Sequence, residues 1–103
     1  MNTDVFNNIK HEVANIVQDS CDNFGVLVFK TTRESFLDLV GVLKDKFKYD
    51  LFLDVTAVDY PEREYRFEVV YHFYSTVLKN RVRIKISVKE SDPVVPTLRN
   101  LYA

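Results

Sequence analysis

The sequence predicts an α+β domain, a two-layer sandwich with helices packed on one face of a mixed, mostly antiparallel sheet. Three observations lead there. Two stretches in the first half repeat apolar residues at helical spacing. Three stretches in the second half alternate apolar and polar residues with the period of a strand. The aromatic residues concentrate on one phase of that alternation. The expected order is α-β-α-β-β-β-(α), the last helix only beginning.

The first helix is expected from about Asp4 to Gln18, where Val5, Ile9, Val13, Ile16 and Val17 form an apolar stripe and Thr3 or Asp4 can cap the start. Ser20 to Asn23 breaks that pattern. Phe24 to Lys30, with Val26 and Val28, reads as a short buried strand. In the stretch TTRESFLDLVGVLKDKF, Thr31 and Glu34 have capping-box spacing. Phe36, Leu39, Val40, Leu43 and Phe47 make the buried stripe, and Lys44, Lys46 and Lys48 suit the negative end of the helix dipole.

Next, Leu51, Leu53, Val55 and Ala57 alternate with Phe52, Asp54, Thr56 and Val58. Tyr65, Phe67, Val69, Tyr71 and Phe73 then alternate with Arg66, Glu68, Val70, His72 and Tyr74. Last, Val82, Ile84, Ile86 and Val88 alternate with Arg81, Arg83, Lys85, Ser87 and Lys89. Such alternation means one buried and one wet face for each strand. The last two strands should pair as a hairpin through a loop near Thr76–Lys79. Apolar positions are odd in one and even in the other, so the numbers of facing residues must sum to an odd number. A one-residue slip would expose four apolar side chains at a cost on the order of 6–12 kcal/mol. A cross-strand ion pair from Glu68 contributes only about 0.2–1 kcal/mol, so charge tunes a register that hydrophobicity sets. Pro93 and Pro96 then break the sheet, and Leu98, Leu101 and Tyr102 hint at a further helix.

The chain has 103 residues, 47% hydrophobic and 28% charged, a globular composition. Its net charge of -1 argues against a general nucleic-acid binder. Cys21 is the only cysteine, so no internal disulfide or cysteine-based cluster can form, and a small inert side chain is its ordinary role. No apolar run is long enough to span a bilayer, and the N-terminus has neither secretory nor transit character.

Few residues announce chemistry. His11 and His72 stand apart from Cys or acidic partners at ligand spacing. Gly25 and Gly41 are isolated, so no phosphate-binding loop is present, and no nucleophile motif is visible. The aromatic strand YRFEVVYHF could resemble a base-stacking surface, but its aromatics share a phase with Val69 and belong to the core. The basic stripe Arg81, Arg83, Lys85 and Lys89 reads equally as a solvated face and as a partner interface. The most chemically dense stretch is TAVDYPERE, residues 56–64. Asp59 can start a turn there and Pro61 presets its dihedral, while Glu62, Arg63 and Glu64 suit an exposed loop.

The block Asp-x-Thr-Ala-Val-Asp-Tyr-Pro at 54–61, Arg-Phe-Glu-Val-Val-Tyr-His at 66–72, the basic strand at 81–85 and Pro-x-x-Pro at 93–96 resembles the C subunit of the proton-pumping NADH:quinone oxidoreductase, respiratory complex I. The resemblance runs through Leu51–Leu101, about half the chain. A Glu-Arg-Glu run and an Asp-x-Phe-Gly-type turn that follow in the family are not reached before Ala103. Residues 1–103 are therefore expected to be a single α+β domain, the N-terminal part of a longer subunit.

The resemblance implies a non-catalytic peripheral-arm subunit that supports electron transfer from NADH to quinone, coupled to proton translocation, by assembly with its neighbours. It implies no catalytic, cofactor-binding or metal residue in this chain. NADH, FMN, iron–sulfur clusters and quinone (ubiquinone) belong to the whole complex. The D subunit and the cluster-bearing B and I subunits are the implied partners, with no nucleic acid and no membrane span. The implied location is peripheral, on the cytoplasmic side of the bacterial inner membrane. Expected interface or signature residues are Asp59, Tyr60, Pro61, Arg63, Arg66, Glu68, His72, Arg81 and Arg83. The equivalent subunit of a membrane-bound hydrogenase or other complex-I-like enzyme fits the same half-chain. A stand-alone nucleic-acid-binding or protein-interaction module is the alternative of another class.

Overall fold

The computed structural model describes residues 3–23 and 25–91. Two helices, α1 (Thr3–Val13) and α2 (Arg33–Phe47), lie with five strands: β1 (Asp19–Asn23), β2 (Val26–Thr31), β3 (Leu51–Asp59), β4 (Phe67–Ser75) and β5 (Asn80–Val88). The strand order is β1-β2-β5-β4-β3. The pairings are antiparallel except β2 with β5, which run parallel. This is the expected α+β architecture with a mixed, mostly antiparallel sheet. The proline break and the helix expected beyond it lie outside the described residues.

One face of the sheet carries the core. Leu27 and Phe29 of β2, Val69, Tyr71 and Phe73 of β4, and Val82, Ile84 and Ile86 of β5 meet Ile9 and Val13 of α1 and Phe36, Leu39, Val40 and Leu43 of α2. Burial at roughly 1.5–3 kcal/mol per large apolar side chain makes this layer the main stabilising term. The β4–β5 hairpin has the expected register: Phe67 faces Val88 and Tyr71 faces Ile84, an odd sum in each case. Its turn covers 76–79, where Lys79 takes a positive φ of 56°. Tyr65, expected on the buried face, lies outside β4 and is 49% exposed.

The helix ends differ from expectation in informative ways. α1 stops at Val13, and the chain then turns through bonds from Ile16 and Val17 N–H to the Val13 carbonyl. Thr3 and Asp4 sit inside its first turn rather than at a cap. The N-cap of α2 is Thr32, one residue later than the expected Thr31: its hydroxyl oxygen accepts from Ser35 N–H at 3.2 Å. Thr31 instead ends β2, buried, and donates its hydroxyl to the Ile16 carbonyl at 2.6 Å. Lys48 closes α2 in the left-handed region, φ 60°.

Two features of the sheet depart from the sequence reading. Residues 19–23 interrupt the helical pattern, and they form the edge strand β1 opposite β2. Gly25 makes this possible with φ 81° in a two-residue connection, and its N–H is held by Asp22 Oδ1 at 2.8 Å. Strand β3 carries a bulge between Phe52 and Asp54. Phe52 therefore faces Phe73 and shares the helix-side face with Val55, which faces Tyr71. Unbroken alternation would group Leu51 and Leu53 with Val55 instead. Alternation also predicts one buried face for β3, yet all its nine residues are exposed, because the described helices cover β2, β5 and β4 but not this edge.

Candidate functional site

The nine residues singled out in the sequence fall into two groups. Asp59, Tyr60, Pro61, Arg63 and Arg66 lie at or in the β3–β4 connection. Glu68 and His72 of β4, with Arg81 and Arg83 of β5, lie on the sheet face away from the helices.

The connection is a braced loop. Arg63 N–H donates to the Tyr60 carbonyl at 3.0 Å, which closes a turn with Pro61 in the position that its fixed φ favours. Tyr60 N–H donates to the Arg66 carbonyl at 2.7 Å, drawing the two ends together. Asp59 accepts both Nε and Nη2 of Arg66, at 2.7 and 3.0 Å, a forked geometry that only arginine offers. Arg66 Nη1 also reaches Glu90 Oε1 at 3.0 Å, just past β5. The hydrogen bond from Arg66 holds the Asp59 carboxyl below the usual aspartate range, and the same bonds hold the guanidinium protonated. A second brace joins Lys89 to Glu64 at 3.3 Å, with the Lys89 ammonium 5.2 Å from the centre of the Tyr65 ring. Arg63 is exposed and stacks its guanidinium 3.8 Å from the Tyr60 ring centre.

This loop walls one side of a cleft of about 720 Å³. The far side is the end of β2 and the start of α2. Lys30, Arg33, Arg63 and Lys89 line it together with Glu34 and Glu64, so cations outnumber acids. Such a surface suits an acidic partner segment, and Arg63 brings its charge into it from the loop.

The second group forms a cationic patch. His72 faces Arg83 across the β4–β5 ladder and Asp54 across the β3–β4 ladder. Partial burial, then the nearby Arg83 charge, lowers the His72 pKa and favours the neutral ring. Glu68 approaches Lys85 at 3.9 Å, a loose contact. The Nε of Arg83 is buried without an acceptor among the described residues. Among the described residues, no group of three His, Cys, Asp or Glu side chains is placed to hold a metal. No described helix is long and apolar enough to cross a membrane.

Sequence reasoning missed two anchors of this region. Tyr49 is wholly buried and donates its hydroxyl to Asn80 Oδ1 at 2.6 Å, joining the end of α2 to the start of β5. Asp50 accepts Thr76 N–H at 3.0 Å and Thr76 Oγ1 at 2.6 Å, tying the start of β3 to the hairpin turn. Both join residues far apart in sequence, and neither has a local pattern.

Comparison with known proteins adds the family. Residues 29–103 match the family described as the respiratory-chain NADH dehydrogenase, 30 Kd subunit. The C subunit of NADH-quinone oxidoreductase from Dinoroseobacter shibae is 45% identical over 74 residues, 70% of this chain and 34% of that protein. The protein of the same name from Citrifermentans bemidjiense is 36% identical over 94 residues, 91% of this chain and 58% of that protein. The chain thus spans between about a third and three fifths of these relatives. Among solved structures, the membrane-bound sulfane sulfur reductase, an archaeal respiratory membrane complex, contains a chain of the same fold. It superposes with a TM-score of 0.77 at 22% identity, covering 97% of this chain and 58% of that one. The matched span takes in the braced loop and both ladders of the cationic patch, and on that ground this chain belongs to the respiratory-chain NADH dehydrogenase 30 Kd subunit family.

Proposed function

We propose that this chain serves as a non-catalytic assembly subunit in the peripheral arm of a proton-translocating NADH:quinone oxidoreductase. It holds neighbouring subunits in place while NADH, FMN, iron–sulfur clusters and quinone are handled elsewhere in the complex. The D subunit, and the cluster-bearing B and I subunits, are the partners this reading names. It places the chain on the cytoplasmic side of the bacterial inner membrane, at the periphery of the complex.

One observation carries the reading. The family-matched segment folds into a loop whose polar groups mostly brace one another, Asp59 with Arg66 and Glu64 with Lys89, while Arg63 stays exposed beside a cation-lined cleft. A loop built for acid–base catalysis would need a carboxyl held near neutral acidity. Here the Asp59 carboxyl is pushed the other way. A rigid loop offering one arginine fits recognition of an acidic surface.

The test is co-purification of the tagged protein from cells that express the other peripheral-arm subunits. Recovery of the D subunit in stoichiometric amount is expected. A preparation free of the D subunit under conditions that keep the rest of the arm together would refute the assembly role.

A further inference from the structure

Strand β3 is an open edge that the rest of the described fold leaves unexplained. It pairs with β4 alone among the described strands. Eight large apolar residues are exposed among the described residues, and five of them are Leu51, Phe52, Leu53, Val55 and Val58 of this one strand. Side chains on both faces contribute: Val55 faces Tyr71 on the helix side, and Val58 faces Glu68 on the other. Long apolar edges of this kind pair with further strands unless something blocks them. The usual blocks are few here. The bulge between Phe52 and Asp54 interrupts one end, Pro61 follows the other, and no lysine lies between. The stretch from Asp54 to Asp59 remains regular and unblocked.

Charge selects the occupant. Residues 50–62 hold Asp50, Asp54, Asp59 and Glu62 and no Lys, Arg or His. Asp50 is engaged by Thr76 and Asp59 by Arg66, while Asp54 accepts its own strand's Val55 N–H and faces the His72 ring. Antiparallel pairing of two copies would bring two acidic strands together without a cation between them, which disfavours a homodimer. An extended partner segment whose alternate residues are apolar beside Val55 and Ala57 on the helix side, with a Lys or Arg beside Asp54 on the other side, satisfies both the helix-side apolar face and the charge.

We propose that β3 accepts, along Asp54–Asp59, an added strand from a neighbouring subunit, apolar in alternation and basic where it meets Asp54. This rests on the assembly role proposed above and names one surface through which it is exercised.

The test is hydrogen–deuterium exchange on the full-length protein, isolated and within the purified complex. The β3 amides that are not donated to β4 should exchange freely in the isolated protein and slow by about tenfold or more on assembly. The Val55→Lys variant should keep its isolated fold and enter the complex less well. Slow exchange of these outward-pointing amides already in the dilute isolated protein would overturn the proposal, because the chain's own residues would then cover the edge. Slowing that appears only at high concentration without partners would overturn it in favour of a second copy. A protein that assembles while the outward-pointing β3 amides still exchange freely would overturn it and leave the assembly role standing. Failure to assemble at all removes both.

Discussion

Arg66 grips the Asp59 carboxylate through two N–H donors, at 2.7 and 3.0 Å, across the mouth of the loop that joins β3 to β4. A third nitrogen of the same guanidinium holds Glu90 beyond β5. One side chain thus ties three consecutive strands of the sheet at the end where the loop emerges.

Arg66→Lys should loosen this loop without unfolding the core. A lysine delivers one point charge and cannot form the fork to Asp59 while also reaching Glu90. Limited proteolysis should show faster cleavage within 60–65, with the far-ultraviolet circular dichroism unchanged. The pH dependence has a definite sign. The folded-state pKa of Asp59 is lowered, so its contribution is present above the ordinary aspartate value and is lost as pH falls below it. The variant should show a weaker loss of stability on acidification below about pH 4.

His72 should make the fold sensitive to mild acid. Its folded-state pKa is lowered, first by burial and then by Arg83. The unfolded chain therefore takes up the proton first, and stability falls as pH drops below about 6.5, the unperturbed histidine value. Asp54, on the opposite side, partly offsets this. Urea unfolding of the wild type and His72→Gln between about pH 7.5 and 5.5 checks it: the variant should lose less stability across that window.

Tyr49→Phe should destabilise the protein by about 1–3 kcal/mol, because it leaves Asn80 Oδ1 without its hydroxyl donor in a partly buried site. The same burial pushes the Tyr49 hydroxyl up to about 12, so it stays protonated and donating at physiological pH. Equilibrium denaturation of Tyr49→Phe, of Asn80→Ala and of the double variant measures the coupling. Near-additive losses would argue that the two groups do not depend on each other.

Ile84→Ala should cost about 2–5 kcal/mol, since Ile84 is fully buried at the centre of the sheet between facing Tyr71 and the helix layer. Leu53→Ala, on the exposed bulge of β3, should stay within about 0.5 kcal/mol in the isolated protein. Thermal denaturation of both variants separates the buried layer from the open edge.

The β4–β5 ladder is legible in the sequence because Val69, Tyr71, Phe73, Val82, Ile84 and Ile86 carry a period that only one register satisfies. α2 is legible for the same reason at helical period. β1 is not: Asp19 to Asn23 lie mostly exposed at an edge, so no apolar alternation marks them. The bulge at Phe52 is hidden because apolar residues occupy both phases around it, Leu51, Phe52 and Leu53 in a row. In the loop, the turn-shaping roles of Asp59 and Pro61 can be read locally. The clamp from Arg66 to Glu90 cannot, because only the folded sheet brings those residues together.

Assembly through the braced loop is tested most directly with Arg63→Glu in the full-length protein. Arg63 is exposed and stacks on Tyr60, outside the Asp59–Arg66–Glu90 and Glu64–Lys89 braces, so reversal of its charge leaves those braces intact. The expected result is a variant with wild-type melting temperature that recovers markedly less of the D subunit on co-purification. Unchanged recovery of the D subunit, or loss of folding together with loss of recovery, would contradict the partner-binding role of this loop.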